Sequence, residues 1–147
     1  MPSPARTASA LAVAAFAVAG LAAATPTKPA KTADITGAWA FETHVYGPHC
    51  QLSGSMMIRP SGAGFSCVFT AQERCQDITV KAQETCEAKR DGEAMTIIAH
   101  VNRVAPQVGY EPDNFELTIQ SGSYMKGMLR SFHSAPVDFF RGDAPVS

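Results

Sequence analysis

The sequence predicts an all-β protein, an eight-stranded antiparallel up-and-down barrel that carries two disulfides. Apolar and polar residues alternate in eight short stretches between Ile35 and Arg141, which is the pattern of strands with one buried face. Turn residues separate these stretches, and four cysteines lie within them. Closing eight strands into a barrel removes the exposed edges that an open sheet would have. A two-sheet sandwich is the alternative.

The first 24 residues have the layout of a secretory signal peptide. Arg6 is their one charged side chain, and an uncharged run extends from Ala10 to Ala24. The run ends in three alanines, which fits the small-x-small rule for cleavage. A permanent membrane helix is the competing interpretation, but it would need about 20 strongly apolar residues. We therefore expect a periplasmic or secreted protein with no membrane span after cleavage.

This layout makes the mature N-terminus a testable prediction. We expect the exported protein to begin at Thr25, within two residues, because the small-residue site Ala22-Ala23-Ala24 comes directly before it. N-terminal sequencing of exported material measures this position. An exported chain that still begins with Met1 or Pro2 would contradict the prediction.

Residues 25–36 contain proline, threonine and lysine without apolar periodicity, and they are predicted to form an extended arm. The barrel domain is predicted at 37–142, followed by a tail at 143–147. The inward positions of its strands share an alternating, largely apolar character. They are Trp39, Phe41, Thr43 and Val45; Leu52, Gly54, Met56 and Ile58; Phe65, Cys67, Phe69 and Ala71; Ile78, Val80, Ala82, Glu84 and Cys86; Met95, Ile97, Ala99 and Val101; Phe115, Leu117 and Ile119; Met125, Gly127 and Leu129; Val137 and Phe139.

The connections between these strands differ at the two ends of the predicted barrel. If the first strand runs upward, the lower turns are tight and contain glycine. They lie at 59–64, 90–92 and 121–122. The upper connections lie at 46–49, 72–77, 103–113 and 132–135, and most of them are longer or carry aromatic residues and histidines. This asymmetry predicts one sealed end and one open end. Inward glycines would leave room in the interior, whereas inward phenylalanines would fill it. The sequence therefore leaves open whether the interior is filled or hollow.

Four cysteines, Cys50, Cys67, Cys75 and Cys86, lie in the exported part and form no C-x-x-C pair. An even number in a secreted domain predicts two structural disulfides. In the first cysteine-bearing hairpin, opposite residues have numbers that sum to about 124, and in the next to about 153. This register favours Cys50–Cys75 with Cys67–Cys86. The pairing of Cys50 with Cys67 and of Cys75 with Cys86 is the alternative.

Gly37-Ala38-Trp39 opens the first predicted strand and Phe139-Phe140-Arg141 closes the last. This G-x-W and this terminal basic residue resemble the calycin superfamily of lipocalins, avidins and bacterial metalloprotease inhibitors. The resemblance implies that the Trp39 indole closes the lower end of the barrel and that Arg141 stacks over it. The segment around His49-Cys50 and the preceding arm are similar to the inhibitors, in which the arm enters the protease cleft. The inhibitors have two cysteines rather than four.

Composition and motifs exclude several classes of function. With 46% hydrophobic residues, 17% charged residues and a formal net charge of −1, the chain has no basic surface for nucleic acid. It contains no G-x-S-x-G, H-E-x-x-H, phosphate-binding glycine loop or calcium loop, and its histidines show no metal-ligand spacing. We therefore expect no catalytic residues, no cofactor and no metal. A monomer is expected.

A set of aromatic and basic side chains at the upper connections is predicted to form a binding rim. These residues are Tyr46, His49, Arg74, Tyr110, Phe132 and His133. The alternative is that Tyr110 and Phe132 fold inward to cap the core. The expected function is non-enzymatic binding of a small ligand or partner at the open end, and inhibition of a secreted protease through the arm is the alternative.

Glu84 is the one clear charge on an otherwise apolar strand face. A carboxyl group inside a barrel can have a raised pKa and act as an acid, a base or a polar anchor. The plainer interpretations are a position at the rim or an internal salt bridge. A catalytic pair would need a second carboxylate, for which Glu73 is the candidate.

Overall fold

The computed structural model describes residues 31–142. The predicted signal peptide at 1–24, the first part of the arm at 25–30 and the tail at 143–147 lie outside the described residues. The described part of the chain forms a closed barrel of eight antiparallel strands in sequence order, with the last strand paired to the first. This confirms the predicted fold class. No helix within residues 31–142 is long and apolar enough to cross a membrane.

The eight strands bury one face each because their apolar residues recur at every second position. In chain order they are β1 Gly37–Thr43, β2 Cys50–Ser61, β3 Gly64–Cys75, β4 Ile78–Asp91, β5 Ala94–Ala105, β6 Asn114–Ile119, β7 Tyr124–Arg130 and β8 Ser134–Arg141. Val45 and Ile78, which continue the alternation in the sequence, are exposed. The alternation does not lead to burial at these two positions, because β1 ends before Val45 and because Ile78 is the first residue of β4.

The lower end carries the connections at 62–63, 92–93 and 120–123, and Gly62 and Gly92 take positive φ angles there. The upper end carries 44–49, 76–77, 106–113 and 131–133. The expected long connection at 72–77 is a two-residue turn, because β3 and β4 stay paired as far as Cys75 and Ile78. The longest of the upper connections is 106–113, and it is hydrogen-bonded to Glu84 of β4 and to Ser131 in the turn at 131–133.

The middle of the barrel is filled by four phenylalanines. Phe41 stacks on Phe139 with 5.2 Å between ring centroids, and Phe115 meets both rings edge-on at 5.2 and 5.5 Å. Phe69 completes the cluster at 5.9 Å from Phe41. Gly54 adds no empty space, because a Cβ there would lie 2.1 Å from the Thr70 carbonyl oxygen and 2.5 Å from the Phe41 ring. The glycine therefore makes room for Phe41 and not for a ligand.

Two disulfides join neighbouring strands at directly opposite positions. Cys50–Cys75 links β2 to β3, and Cys67–Cys86 links β3 to β4, which confirms the favoured pairing. They close loops with sequence separations of 25 and 19 residues, and chain entropy makes each worth about 3 kcal/mol. Disulfides of this kind indicate an oxidising, extracellular or periplasmic environment.

The lower end of the barrel is sealed by Trp39. Its side chain is fully buried, and its indole Nε1 donates a hydrogen bond of 2.8 Å to the carbonyl of Ile35. The guanidinium carbon of Arg141 lies 4.4 Å from the centre of the indole ring, where a cation is attracted to the π face. The pair closes the barrel where β1 and β8 meet, because Trp39 and Arg141 lie directly opposite each other.

The end of the predicted arm is bound to this lower end. Arg141 donates to the carbonyls of Asp34, at 2.6 Å, and of Thr36. Arg90 donates to the carbonyl of Ala33 at 2.5 Å, and Ile35 is buried in the core. Residues 33–36 are thus part of the base of the barrel.

Candidate functional site

The upper end of the barrel contains a cavity of about 700 Å³. Its walls come from the connection at 44–49, the upper ends of β2 and β3, the long connection at 106–113 and the turn at 131–133. The side chains that give it chemical character are aromatic or acidic: Tyr46, Glu73, Tyr110, Asp113, Phe132 and His133. We call this space the mouth cavity. It lies at the opposite end of the barrel from Trp39 and Arg141.

Four of the six predicted rim residues line the mouth cavity, namely Tyr46, Tyr110, Phe132 and His133. The other two, His49 and Arg74, are exposed and are not part of its lining. For Arg74 the reason is strand alternation. Its neighbour Glu73 continues the inward series of β3, so Arg74 faces outward.

Tyr46 and Glu73 form the first of two tyrosine–carboxylate contacts in the mouth cavity. Tyr46 is 9% exposed, and its hydroxyl donates a hydrogen bond of 2.6 Å to Glu73. Burial, followed by the hydrogen bond to the Glu73 carboxylate, raises the pKa of Tyr46 above its ordinary value. Tyr46 is thereby a neutral donor, and its ring lies 5.7 Å from that of His133.

The second contact joins Tyr110 to Asp113, and a further hydrogen bond joins Asp113 to Glu84 inside the barrel. The Tyr110 hydroxyl donates to Asp113 at 2.7 Å, and the backbone N–H of Asp113 donates to Glu84 at 3.1 Å. Asp113 and Glu84 are 3% and 2% exposed. Oε1 of Glu84 accepts no hydrogen bond from the described residues, and the Glu84 carboxyl group shares a side-chain hydrogen bond with the carboxyl group of Asp113. Tyr110 is half-buried while Phe132 is 76% exposed, so only the tyrosine folds inward.

Burial dominates the titration of the two inner carboxyl groups. Burial, followed by the hydrogen bond and the charge of the adjacent Asp113 carboxyl group, raises the pKa of Glu84 to about 9. Burial also raises the pKa of Asp113 to about 6, against the lowering effect of its hydrogen bonds to Glu84 and Tyr110. At neutral pH, Glu84 is therefore protonated and Asp113 carries the negative charge.

These contacts correct two expectations about Glu84. The observed ion pairs within residues 31–142 do not include it, so it forms no internal salt bridge, and it lies inside the barrel rather than at the rim. Its contact is Asp113 rather than Glu73. Asp113 was not among the predicted site residues, although it lies two positions before the inward Phe115. Extending the alternation of β6 by one step would have placed Asp113 inside.

One grouping in the described part of the chain brings three possible metal-ligand atoms within 4.8 Å of one another, and it consists of Cys50, Glu73 and Cys75. Both sulfurs belong to the Cys50–Cys75 disulfide. A disulfide has no thiolate to bind a metal ion. The grouping therefore acts as the wall of the mouth cavity rather than as a metal centre.

No family model, curated protein or solved structure matches this chain. The functional conclusion therefore depends on the fold and on the chemistry of the mouth cavity. Protease inhibition through the arm depends in part on residues 25–30, which lie outside the described residues, and it stays a prediction.

Proposed function

We propose that this chain is an exported, non-enzymatic binding protein of the calycin type, and that it takes a small ligand into the mouth cavity. The observation that carries the proposal is the mouth cavity itself, about 700 Å³ at the end of the barrel opposite the sealed one. Pockets for small molecules are typically about 300–1,000 Å³, with aromatic walls and a few polar groups. The mouth cavity has this size and this lining.

The calycin part of the proposal is supported by the lower end. Gly37-Ala38-Trp39 begins β1, and Arg141 at the end of β8 lies over the indole. This is the arrangement that the resemblance to calycins implies. Since the phenylalanine cluster fills the middle of the barrel, the ligand site is expected to be short and close to the mouth.

Binding is favoured over catalysis by the position of the perturbed carboxyl group. Glu84 has the raised pKa expected of a general acid, but it is 2% exposed and is not among the residues that line the mouth cavity. A general acid or base must come within hydrogen-bond reach of the group on which it acts. Asp113 separates Glu84 from a ligand.

Binding of a neutral apolar dye, N-phenyl-1-naphthylamine, tests the proposal. We expect its fluorescence to rise on saturable binding to one site, because the aromatic walls exclude water from the dye. The double variant Tyr110→Ala with His133→Ala removes two walls of the mouth cavity and should weaken binding about tenfold or more. Fluorescence titration of the purified, oxidised proteins measures the affinity of the wild-type protein and of the double variant for the dye.

The matched control is the double variant Arg59→Ala with Asp91→Ala at the lower end, where both residues are exposed. We expect it to bind the dye like the wild-type protein. Loss of binding in the lower variant with unchanged binding in the upper variant would contradict a site at the mouth. So would the absence of any saturable binding by the wild-type protein.

A further inference from the structure

We infer that two copies of this chain form a dimer by packing the outer surface of β2, β3 and β4 against its own copy. This surface lies outside the mouth cavity, so the inference goes beyond the proposed function, and the dimer replaces the monomer expected from the sequence. We call the surface the outer face. Its side chains are Ser55, Met57 and Arg59 on β2, Ser66, Val68 and Thr70 on β3, and Gln83, Thr85 and Glu87 on β4.

The outer face contains two cavities, of about 420 and 380 Å³. Both are lined by Met57, Val68 and Thr85, so the two cavities adjoin each other. Val68 lies between the other two residues in the sheet register, and it is 54% exposed. An exposed apolar side chain between two cavities gains burial when a second surface covers it.

The middle of the outer face carries no formal charge. It consists of two rows across the sheet, Met57–Val68–Thr85 and Ser55–Thr70–Gln83. Charged side chains begin one row nearer the lower end, with Arg59 and Glu87. Protein interfaces have this distribution, because charged residues are depleted from the centre of an interface and tolerated at its rim.

Arg59 and Glu87 lie on either side of β3 in one row. Ser66 is the residue between them, because it pairs with Arg59 on β2 and with Glu87 on β4. The spacing of strands places the two charged residues roughly 10 Å apart along the sheet. Both are exposed, and neither belongs to the ion pairs observed within residues 31–142. Each charge is therefore available to a partner.

A twofold axis along β3 makes the outer face complementary to itself. When two sheets pack face to face about such an axis, β2 of one copy lies over β4 of the other. Arg59 of each copy then faces Glu87 of the other copy, which gives two pairs of opposite charge. Val68 packs on its own counterpart at the axis. A second copy of this chain is therefore the occupant whose charges fit the outer face.

Sedimentation velocity of the purified, oxidised mature chain tests for the dimer. We expect a dissociation constant on the order of 10–100 µM, because one sheet face is small for a protein interface. Below this concentration the chain is a monomer, which is its state in dilute unfolding measurements. A chain that stays monomeric at millimolar concentration would overturn the inference.

Charge reversal tests the twofold arrangement. Arg59→Glu and Glu87→Arg should each weaken the dimer by about tenfold or more, since each variant places like charges opposite each other twice. An equimolar mixture of the two variants should form the dimer again, because one copy then presents two acidic side chains and the other two basic ones. Lys126→Glu, at an exposed position of β7, is the matched control and should dimerise like the wild-type protein.

Val68→Asp tests the same interface without involving the ion pairs. It places two carboxylates together at the axis and should abolish the dimer, while the exposure of Val68 leaves the core of the barrel unchanged. Recovery of the dimer on mixing the reversed variants also shows that both of them are folded. A dimer that persists in either reversed variant alone, or one that mixing does not restore, would overturn the inference.

Discussion

Trp39→Ala is expected to lower the free energy of unfolding by about 3–5 kcal/mol, the range for truncating a large buried aromatic residue. The indole is fully buried at the lower end of the barrel and donates to the carbonyl of Ile35. Its loss leaves a cavity and removes the surface on which Arg141 lies. Urea unfolding of the oxidised protein, followed by circular dichroism, measures the change.

Two further variants show whether the loss of stability comes from opening the lower end of the barrel or from removing any aromatic side chain. Arg141→Ala should cause a smaller but measurable loss, because Arg141 binds the carbonyls of Asp34, Thr36 and Gly122 from an exposed position. Phe140→Ala is the control, since Phe140 is half-exposed on the same strand and stacks on Tyr124 outside the barrel. If Trp39→Ala unfolds at the wild-type urea concentration, the calycin part of the proposal is wrong.

The strands could be predicted from the sequence because burial of one sheet face imposes a period of two. The same rule explains the disulfide pairing, since the hairpin register brings Cys50 opposite Cys75 and Cys67 opposite Cys86. It fails at strand ends. Val45 continues the alternation, but the backbone has already left the sheet. Strand pairing ends where the geometry of the turn requires it, and the alternation of apolar and polar residues does not show where that point is.

The candidate site could be predicted only in part. Aromatic residues in the upper connections point to the mouth because topology alone brings those connections together. The contact between Asp113 and Glu84 is different, since it joins β4 to the start of β6, and these strands are not neighbours in the sheet. A contact across the interior depends on the stagger and width of the barrel. The spacing of residues along the sequence gives neither the stagger nor the width of the barrel.

The stability of the fold is expected to fall as pH rises from about 4.5 to 9, and Glu84 is the cause. Burial raises its pKa from 4.5 to about 9. The unfolded chain loses this proton near pH 4.5, whereas the folded chain keeps it until about pH 9. Between these values the folded state binds more protons, so each rise in pH favours unfolding. The stabilisation is complete below pH 4.5 and is lost as pH approaches 9.

Glu84→Gln should remove most of this dependence. The amide oxygen can accept the N–H of Asp113, as the carboxyl oxygen does at 3.1 Å, and the amide group does not ionise. We expect the variant to match the wild-type protein near pH 4 and to exceed its free energy of unfolding by roughly 5 kcal/mol at pH 8, since each pH unit above 4.5 costs the wild-type protein about 1.4 kcal/mol. Urea unfolding at intervals from pH 4 to 9 measures both profiles.

Two comparisons, with Asp113 and with Glu87, test whether the pH dependence of stability comes from Glu84. Burial raises the pKa of Asp113 from 3.8 to about 6, so a shallower fall between these values should persist in the Glu84→Gln protein. Glu87→Gln removes an exposed carboxyl group from the same strand and should leave the wild-type profile unchanged. Parallel profiles for the wild-type and Glu84→Gln proteins above pH 6 would mean that Glu84 ionises in the folded barrel as it does in the unfolded chain. In that case the interior of the upper barrel would carry one more negative charge at neutral pH than burial alone predicts.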